Sequence, residues 1–346
     1  MRSYSLQATP FALGYRMPAE WEKHEATWLT WPKDPTTFPP RILPDVEQIY
    51  MQMIEELGAG EKVNLLIDDE ENEKRVSKML TSTQNVVFHK IRTSDVWVRD
   101  YGPIFVKSPT GVAATKWTFN AWGNKYAELR SDNESGMKIA ESAGFKIFES
   151  GLVLEGGSVE VNGLGTGVVT KQCLLNSNRN PQLNEVQIAE QLKEYLGITN
   201  LIWLDSGIAG DDTDGHIDDV ARFVGESTIL CMTEDDEGDE NFESLRRNLD
   251  VVSQAKDQSG NRIDVIQINM PKRVDCEDGR LPASYSNFYI GNAVVLVPTF
   301  GDSNDQPTLD ALRTAFPNRK VVGINCRPLI YGFGAIHCVT QQQPNP

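Results

Sequence analysis

Long apolar segments, paired cysteines and targeting signals are what this sequence lacks. No stretch approaches the roughly 18 apolar residues of a membrane span, and residues 1–20 show no apolar core behind a basic start. The five cysteines are odd in number, scattered and free of CxxC spacing, so neither a disulfide framework nor a thiolate zinc site is expected. These absences predict a cytoplasmic chain with reduced thiols and no membrane partner.

Signatures of nucleotide and metal binding are missing as well. The sequence has no P-loop and no HExxH, and its four histidines are spread along the chain. The glycines Gly163, Gly165 and Gly167 do not match the dinucleotide fingerprint and stand between apolar runs, as in a hairpin turn. We therefore expect neither a metal nor an organic cofactor.

Basic residues are outnumbered, with 33 Lys and Arg against 49 Asp and Glu and a formal net charge of −16. Phosphate backbones and anionic membranes would repel such a chain, whereas small cations would be attracted. The charge excludes a nucleic-acid partner more firmly than it identifies a ligand, because many proteins are acidic for solubility. A hydrophobic content of 40% over 346 residues is ample for a substantial core.

Helical and extended patterns alternate along the chain. Apolar residues at three- and four-residue spacing predict helices at 45–57, 135–143, 185–196, 241–256 and 308–316. Short apolar runs predict strands at 63–67, 85–91, 104–106, 145–148, 200–204, 228–232, 264–268, 293–298 and 320–324. No Pro/Gly/Ser linker interrupts them, so we predict one α/β domain over residues 1–346, built from repeated strand–helix modules.

One cysteine stands apart from the others. Cys338 follows the glycine-containing turn 331–334 and precedes the polar residues 340–343. Cys173, Cys231 and Cys326 lie in apolar runs and are expected to be buried as small hydrophobic residues. Cys338 is therefore the candidate nucleophile.

A cysteine nucleophile needs a thiolate and a proton carrier, which is usually histidine. His337 is adjacent to Cys338, and neighbours on an extended chain point to opposite faces, so it is a poor partner. His216 is followed by Asp218, and this two-residue spacing puts both side chains on one face of an extended segment. We expect His216 to be the proton carrier. A surface loop with a helix cap is the preferred explanation for the neighbouring aspartates taken singly.

Two more acids stand beside glycines at predicted strand ends. Asp100 precedes Gly102 and Pro103 in a loop, and Arg99 is expected to point away from it into a structural ion pair. Glu155 is followed by two glycines, which permit close approach of another backbone or a ligand.

Together these segments resemble the agmatine deiminase and bacterial-type peptidylarginine deiminase family. The resemblance covers almost the whole chain as an ordered series: Pro18-Ala19-Glu20-Trp21 with Trp28, Trp97-Val98-Arg99-Asp100-Tyr101-Gly102-Pro103, Glu155-Gly156-Gly157, Cys173-Leu174-Leu175-Asn176, Asn178-Arg179-Asn180-Pro181, Asp214-Gly215-His216-Ile217-Asp218, Ser284-Tyr285-Ser286-Asn287-Phe288-Tyr289 and Ile336-His337-Cys338-Val339-Thr340-Gln341-Gln342. Each motif is weak alone, and their order carries the resemblance.

The resemblance implies a five-bladed α/β propeller of pentein type with pseudo-fivefold symmetry and a catalytic pocket on its axis. It also implies Cys338 as nucleophile, His216 as general acid/base supported by Glu155, and Asp100 and Asp218 as the grip on a guanidinium. Similar enzymes often have a longer glycine run before Ile-His-Cys. Here the sequence reads Gly332-Phe333-Gly334-Ala335, so the backbone shape beside the thiol is open.

The predicted substrate is a small cationic guanidine, with agmatine favoured. An agmatine site should supply an anion or an aromatic ring for the terminal amine, and the segments near the candidate site are rich in acids. Asp212, Asp214 and Trp97 are the expected substrate contacts, and the resemblance adds Asn287 as a polar wall.

Three alternatives stay open. The first is a deiminase acting on peptidyl-arginine or free arginine. A cysteine protease or amidase would leave the carboxylates of Asp100 and Asp218 without a role, at a cost in buried charge. A non-enzymatic binding protein can share the same fold. The sequence neither indicates nor excludes a homo-oligomer.

Overall fold

The computed structural model describes residues 8–277 and 279–346. Their strands are β1 (His24–Thr30), β2 (Lys62–Ile67), β3 (Val86–Lys90), β4 (Ile104–Ser108), β5 (Gly111–Thr118), β6 (Lys146–Val153), β7 (Glu160–Val161), β8 (Thr166–Thr170), β9 (Asn200–Leu204), β10 (Ala221–Gly225), β11 (Thr228–Thr233), β12 (Asp264–Asn269), β13 (Asp275–Cys276), β14 (Gly279–Arg280), β15 (Tyr289–Ile290), β16 (Val294–Thr299), β17 (Lys320–Asn325) and β18 (Gln341–Pro344).

The α-helices alternate with these strands. They are α1 (Leu43–Gly58), α2 (Glu70–Met79), α3 (Val98–Tyr101), α4 (Ala121–Asn124), α5 (Asp132–Ala143), α6 (Lys171–Leu174), α7 (Glu185–Leu196), α8 (Phe242–Gln254) and α9 (Asp305–Ala315). In α1 the predicted apolar positions Val46, Ile49, Tyr50 and Met53 are buried. No helix of the described chain is both long and apolar enough to cross a membrane.

Five sheets repeat one topology, in which an antiparallel pair is followed by a parallel pair. Their strand orders are β18-β1-β2-β3, β4-β5-β6, β7-β8-β9, β10-β11-β12 and β15-β16-β17. The first parallel pair in each sheet is joined through a helix, namely α1, α5, α7, α8 and α9 in the same order. The predicted α/β architecture of strand–helix modules is confirmed.

Local sequence explains why some of these elements begin and end sharply. Asn184 and Gln187 form a capping box before α7, and Gly197 ends the helix with a φ of 74°. The observed bounds of α7 and β9 are those predicted. The hairpin predicted around the three glycines is also present, because β7 and β8 pair there in antiparallel fashion.

The connections between sheets carry the candidate residues. Asp100 lies between β3 and β4, Glu155 between β6 and β7, and His216 between β9 and β10. Asn287 lies just before β15, and Cys338 lies between β17 and β18. Each residue therefore follows the last strand of one module and precedes the first strand of the next. Equivalent positions in five modules thus explain how residues far apart in sequence come together.

Candidate active site

A cavity of about 320 Å³ has the Cys338 thiol in its wall. Cys338 is 8% exposed, whereas Cys173, Cys231 and Cys326 are fully buried, as predicted. The described residues that line the cavity are Asp34, Thr36, Thr37, Pro39, Asp95, Trp97, Asp100, Trp122, Tyr126, Glu128, Leu129, Asp212, Thr213, Cys276, Tyr331, Gly332, Phe333 and Cys338. This set contains five carboxylates and, among the residues described, no Lys, Arg or His.

The thiol of Cys338 is held by polar groups from two connections. Asn287 donates its Nδ2 hydrogen to Sγ at 3.1 Å, and its Oδ1 accepts from the Cys338 backbone N at 3.3 Å. Asp218 Oδ2 lies 3.8 Å from Sγ, and Asp219 Oδ1 accepts from Asn287 Nδ2 at 2.9 Å. The thiol is therefore fixed in position and surrounded by negative charge.

The negative charge around Cys338 affects the pKa of its thiol. Burial, followed by the charges of Asp218, Asp219 and Asp100, raises the pKa of the Cys338 thiol well above its usual value. Nearby anions disfavour a thiolate, and a cation placed among them would reverse the effect. These carboxylates therefore keep the thiol protonated, and a cation bound among them would favour its ionisation.

His216 sits between two carboxylates. Its Nδ1 lies 3.8 Å from Asp100 Oδ1, its Nε2 lies 3.9 Å from Glu155 Oε2, and Nε2 has no hydrogen-bond partner. Burial lowers the pKa of His216 to about 3, so the ring is neutral at neutral pH. A neutral imidazole with a free nitrogen can accept and return a proton.

Asp100 is positioned by an indole and by a glycine backbone. Trp122 Nε1 donates to Oδ2 at 2.9 Å, and Gly157 N donates to Oδ1 at 3.0 Å. A Cβ atom on Gly157 would lie 2.6 Å from His216 Nδ1, 3.0 Å from Asp100 Oδ1 and 3.1 Å from Asp218 Oδ2. The absent side chain is what allows these three groups to approach each other.

Asp218 has one oxygen engaged and one free. Its Oδ2 is bonded to His337 Nδ1 at 2.7 Å, while Oδ1 is buried without a hydrogen-bond partner. Although burial raises its pKa, the hydrogen bond and charge of His337 leave the pKa of Asp218 below its usual value. One oxygen of this buried carboxylate therefore makes no hydrogen bond with the described residues.

Glu155 and Asp214 share a cation. Arg179 donates from Nε to Glu155 Oε1 at 2.7 Å and from Nη1 to Asp214 Oδ2 at 2.8 Å. Lys125 binds the other oxygen of Asp214 at 2.7 Å. Asp214 is not among the described residues that line the cavity, which differs from its prediction as a substrate contact. Its carboxylate instead pairs with protein cations and orients Arg179 against Glu155.

Cys173 lies beside His216 and Glu155, so three possible metal ligands come together here. Glu155, Cys173 and His216 each place one ligand atom within 4.8 Å of the others. The guanidinium of Arg179 on Glu155 puts a positive charge beside this cluster, which opposes a bound metal ion.

Trp97 and Asp212, which were predicted as substrate contacts, both line the cavity. Trp97 Nε1 donates to Asp95 Oδ2 at 2.8 Å, and Asp212 accepts a hydrogen bond from the Tyr126 hydroxyl. Phe333 occupies the place where a longer glycine run was expected, and it adopts a φ of 69° in the left-handed region.

Two local structures on which the site predictions relied were predicted wrongly. Residues 98–101 form the short helix α3 rather than a loop, and residues 217–219 form a 3-10 helix rather than an extended segment. His216 and Asp218 still converge because the turn brings both toward Gly157. Arg99 points away from Asp100 as expected and pairs with Glu20 at 3.3 Å.

Several contributors to the site were not predicted from the sequence. Trp122, Asp95, Tyr126 and Asp219 bind or flank the candidate residues, and Arg179 anchors Glu155. Arg179 belongs to the series of motifs quoted above but had no role assigned. Trp122, Tyr126 and Asp219 carry no local pattern, because their partners lie in other modules, whereas Asp95 binds Trp97 two residues further on.

Comparisons with known proteins agree on one class. The chain is 34% identical over 341 residues to a Legionella pneumophila protein provisionally named agmatine deiminase, with 98% of each chain covered. The solved agmatine deiminase of Enterococcus faecalis matches with a TM-score of 0.92 at 32% identity, covering 98% of both chains. The protein is a hydrolase of the class that acts on amidine and guanidine groups.

The family follows from a match over nearly the whole chain. The model of the Porphyromonas-type peptidyl-arginine deiminase family matches residues 16–344, and the chain belongs to that family. An amidinotransferase of Microseira wollei, 12% identical, shares the fold with a TM-score of 0.55 over 95% of this chain and 96% of that one. The α/β fold is therefore shared with this distant protein.

Proposed function

We propose that this protein is an agmatine deiminase, which hydrolyses agmatine to N-carbamoylputrescine and ammonia. The observation that carries the proposal is the cavity itself: its described lining holds the Cys338 thiol and five acids, Asp100 among them, but no basic residue. Asp218 does not line the cavity, but its Oδ2 lies 3.8 Å from the thiol. Agmatine carries a guanidinium at one end and an amine at the other, so both of its charges meet anions there. Its relatives bear the name of this activity.

Binding should start with the guanidinium. Asp100 and Asp218 can each accept N–H hydrogens from this planar cation, in charge-assisted bonds roughly twice as strong as neutral ones. The bound cation offsets the anions that raise the pKa of Cys338, so the thiol ionises when the substrate is in place. Neutral His216 is available to take up the proton.

The chemistry then has two halves. The Cys338 thiolate forms a bond to the guanidinium carbon, and the C–N bond to the leaving nitrogen breaks as His216 gives that nitrogen a proton, releasing ammonia. The result is an amidino-cysteine. His216 next removes a proton from water, whose oxygen attacks the same carbon and expels the Cys338 thiolate with the carbamoyl product. Glu155, held by Arg179, supports the imidazole during both transfers.

The same scaffold could in principle serve arginine or peptidyl-arginine, as the family name indicates. The α-carboxylate of arginine would meet acids and no described cation in the lining, and an unpaired buried carboxylate costs about 1–3 kcal/mol or more. The deciding measurement is kcat/KM for ammonia release from agmatine, arginine and a peptide with C-terminal arginine. A higher value for either arginine substrate would contradict the agmatine assignment.

Catalysis in this scheme uses no metal. Dialysis against a chelator should leave ammonia release unchanged, because each step is assigned to a side chain or to water. Activity that falls with removal of a metal and returns on its addition would contradict the scheme and would point to the cluster of Glu155, Cys173 and His216.

The five modules also support a finer description of the fold. We propose that the five sheets are the blades of an α/β propeller around the thiol, because each inter-module connection supplies a candidate residue. An experimental structure in which these sheets do not surround Cys338 would contradict it.

A further inference from the structure

His337, the neighbour of the candidate nucleophile, joins two carboxylates. Its Nδ1 lies 2.7 Å from Asp218 Oδ2, and its Nε2 lies 2.9 Å from Glu20 Oε2. The ring is 2% exposed and is absent from the described lining of the cavity. His337 therefore lies behind Asp218 and does not face the substrate.

Glu20 is a fixed anion on the far side of this ring. Its oxygens accept from Ile290 N at 2.8 Å, and pair with Arg222 at 2.8 Å and Arg99 at 3.3 Å. Although burial raises its pKa, Arg222 and His337 leave the pKa of Glu20 well below its usual value. The carboxylate is thus held by groups from several elements and cannot follow the ring.

The two short contacts need a hydrogen each. Burial and the charges of Arg222 and Arg99 lower the pKa of His337, whereas Glu20 and the hydrogen bond to Asp218 oppose that shift. Two acceptors at 2.7 or 2.9 Å would repel each other if no hydrogen lay between them. The chain from Asp218 through His337 to Glu20 therefore holds two hydrogens, and these fix the ring between the carboxylates.

We propose that His337 is a positioning residue for the guanidinium site: it binds Asp218 Oδ2 and thereby presents Oδ1 to the substrate. The inference rests on the proposed deiminase function. Oδ1 is buried and has no hydrogen-bond partner in the described structure, and Oδ2 lies 3.8 Å from Cys338 Sγ. Without the imidazole, Asp218 could rotate or take up a proton beside Asp100 and Asp219, and its charge-assisted grip would be lost.

Two isosteric variants separate the contacts of the ring. The amide nitrogen in His337→Asn occupies about the position of Nδ1 and can still donate to Asp218, whereas that in His337→Gln occupies about the position of Nε2 and can donate only to Glu20. We expect KM for agmatine to rise about tenfold or more in His337→Gln, and to stay within about threefold of wild type in His337→Asn.

The controls distinguish positioning from general damage. Alkylation of Cys338 by iodoacetamide, a neutral reagent, should be no slower in His337→Gln than in His337→Asn, because loss of the Asp218 charge beside Sγ does not disfavour the thiolate. Equal KM values in the two variants, a larger rise in His337→Asn, or alkylation slowed in parallel with the rise in KM would each overturn the positioning role. A wild-type enzyme that releases no ammonia from any guanidine would instead overturn the proposed function.

A second measurement does not depend on the folding of His337 variants. In a crystal structure of Cys338→Ser soaked with agmatine, the guanidinium should contact Asp218 Oδ1 while Oδ2 stays on His337 Nδ1. A guanidinium bound to Oδ2, with the His337 contact broken, would overturn the inference.

Discussion

Two buried polar regions meet at His337 and Cys338, and they differ in what satisfies their charges. In the first region, four charged side chains form an ion-pair belt in which each charge lies within 3.3 Å of an opposite one: Glu20, Arg99, Glu160 and Arg222. In the second region, the candidate catalytic cluster of Cys338, His216, Asp100, Asp218 and Glu155, His216 Nε2 and Asp218 Oδ1 are buried with neither a hydrogen bond nor an opposite charge within 3.3 Å. Arg222 Nη2 in the belt also makes no hydrogen bond, but it lies 2.8 Å from Glu20 Oε1.

The difference indicates that the belt contributes to stability and the cluster to ligand binding. An unsatisfied buried polar atom costs free energy, so a protein retains it where a ligand will supply the missing bond. The belt is completed by the protein itself and holds the connections in place. The cluster is completed only when a cation enters. Substitutions in the belt should therefore change stability, and substitutions in the cluster should change activity.

The largest expected effect is that of Cys338→Ala. Loss of the nucleophile should reduce kcat by at least about 10⁴-fold while the melting temperature stays near that of wild type, because the partly exposed thiol contributes little packing. The matched control is Cys231→Ala, a thiol buried in β11, which should keep activity and lose about 1 kcal/mol of stability. Ammonia release and thermal unfolding measure both; turnover retained without Cys338 would contradict the mechanism.

Substitutions in the ion-pair belt should lower stability rather than remove the chemical step. Arg222→Ala leaves Glu20 and Glu160 partly unpaired in the core, and we expect it to lower the free energy of unfolding by about 3–5 kcal/mol. Arg246→Ala, on the exposed face of α8 and paired with Glu243, should leave the free energy of unfolding close to that of wild type. Denaturant unfolding checks both values. Equal losses of stability in the two variants would show that burial does not make the ion pairs of the belt more important for stability than an exposed pair.

A smaller effect is expected at Asp212, which also lines the cavity. Asp212→Asn should raise KM for agmatine about tenfold, since the terminal amine loses an anionic partner. The control is 1-butylguanidine, which has the guanidinium but no amine, and its KM should not change. An equal rise for both substrates would place Asp212 away from the amine.

A further expected effect is a pH dependence of stability at Asp95. This carboxyl lines the cavity, and burial raises its pKa to about 7. Because the folded pKa exceeds the unfolded value of about 4, stability decreases as pH rises between these values, by up to about 1.36 kcal/mol per pH unit. Asp95→Asn can keep one oxygen for Thr37 and Trp97, which both donate to Oδ2, and loses the acceptor for Val96 N, but it should lack this slope. Melting temperatures at pH 5 and pH 8 test it; identical slopes would contradict the raised pKa.

Elements with strong local signals could be predicted from the sequence, and the others could not. The bounds of α7 and β9 follow from a capping box, a terminal glycine and an apolar run. In contrast, α2 is highly charged and buries only Val76 among its residues, so it lacks a clear apolar face. The glutamines of β18 look like a polar tail, yet they are buried and bind Trp28, Arg99 and Pro103.

The same reasoning applies to the site. Cys338, His216 and the acids were identified through the order of their motifs, which survives any error in local structure. The partners of Asp100 and Asp218 were not, since Trp122 and His337 are ordinary residues until the modules assemble. Sequence spacing even argued against His337, because it considered only the contact with Cys338.

The close contacts at Gly157 have a consequence for how this enzyme can diverge. His216, Asp100 and Asp218 all lie within 3.1 Å of the place where a methyl group on residue 157 would be. Any side chain there would separate the groups that carry the reaction, so this position tolerates no gradual change. Asp212 also lines the cavity, but it is not one of the groups packed against Gly157. Substitutions at Asp212 are therefore expected to change which guanidine such a protein accepts before they change its reaction.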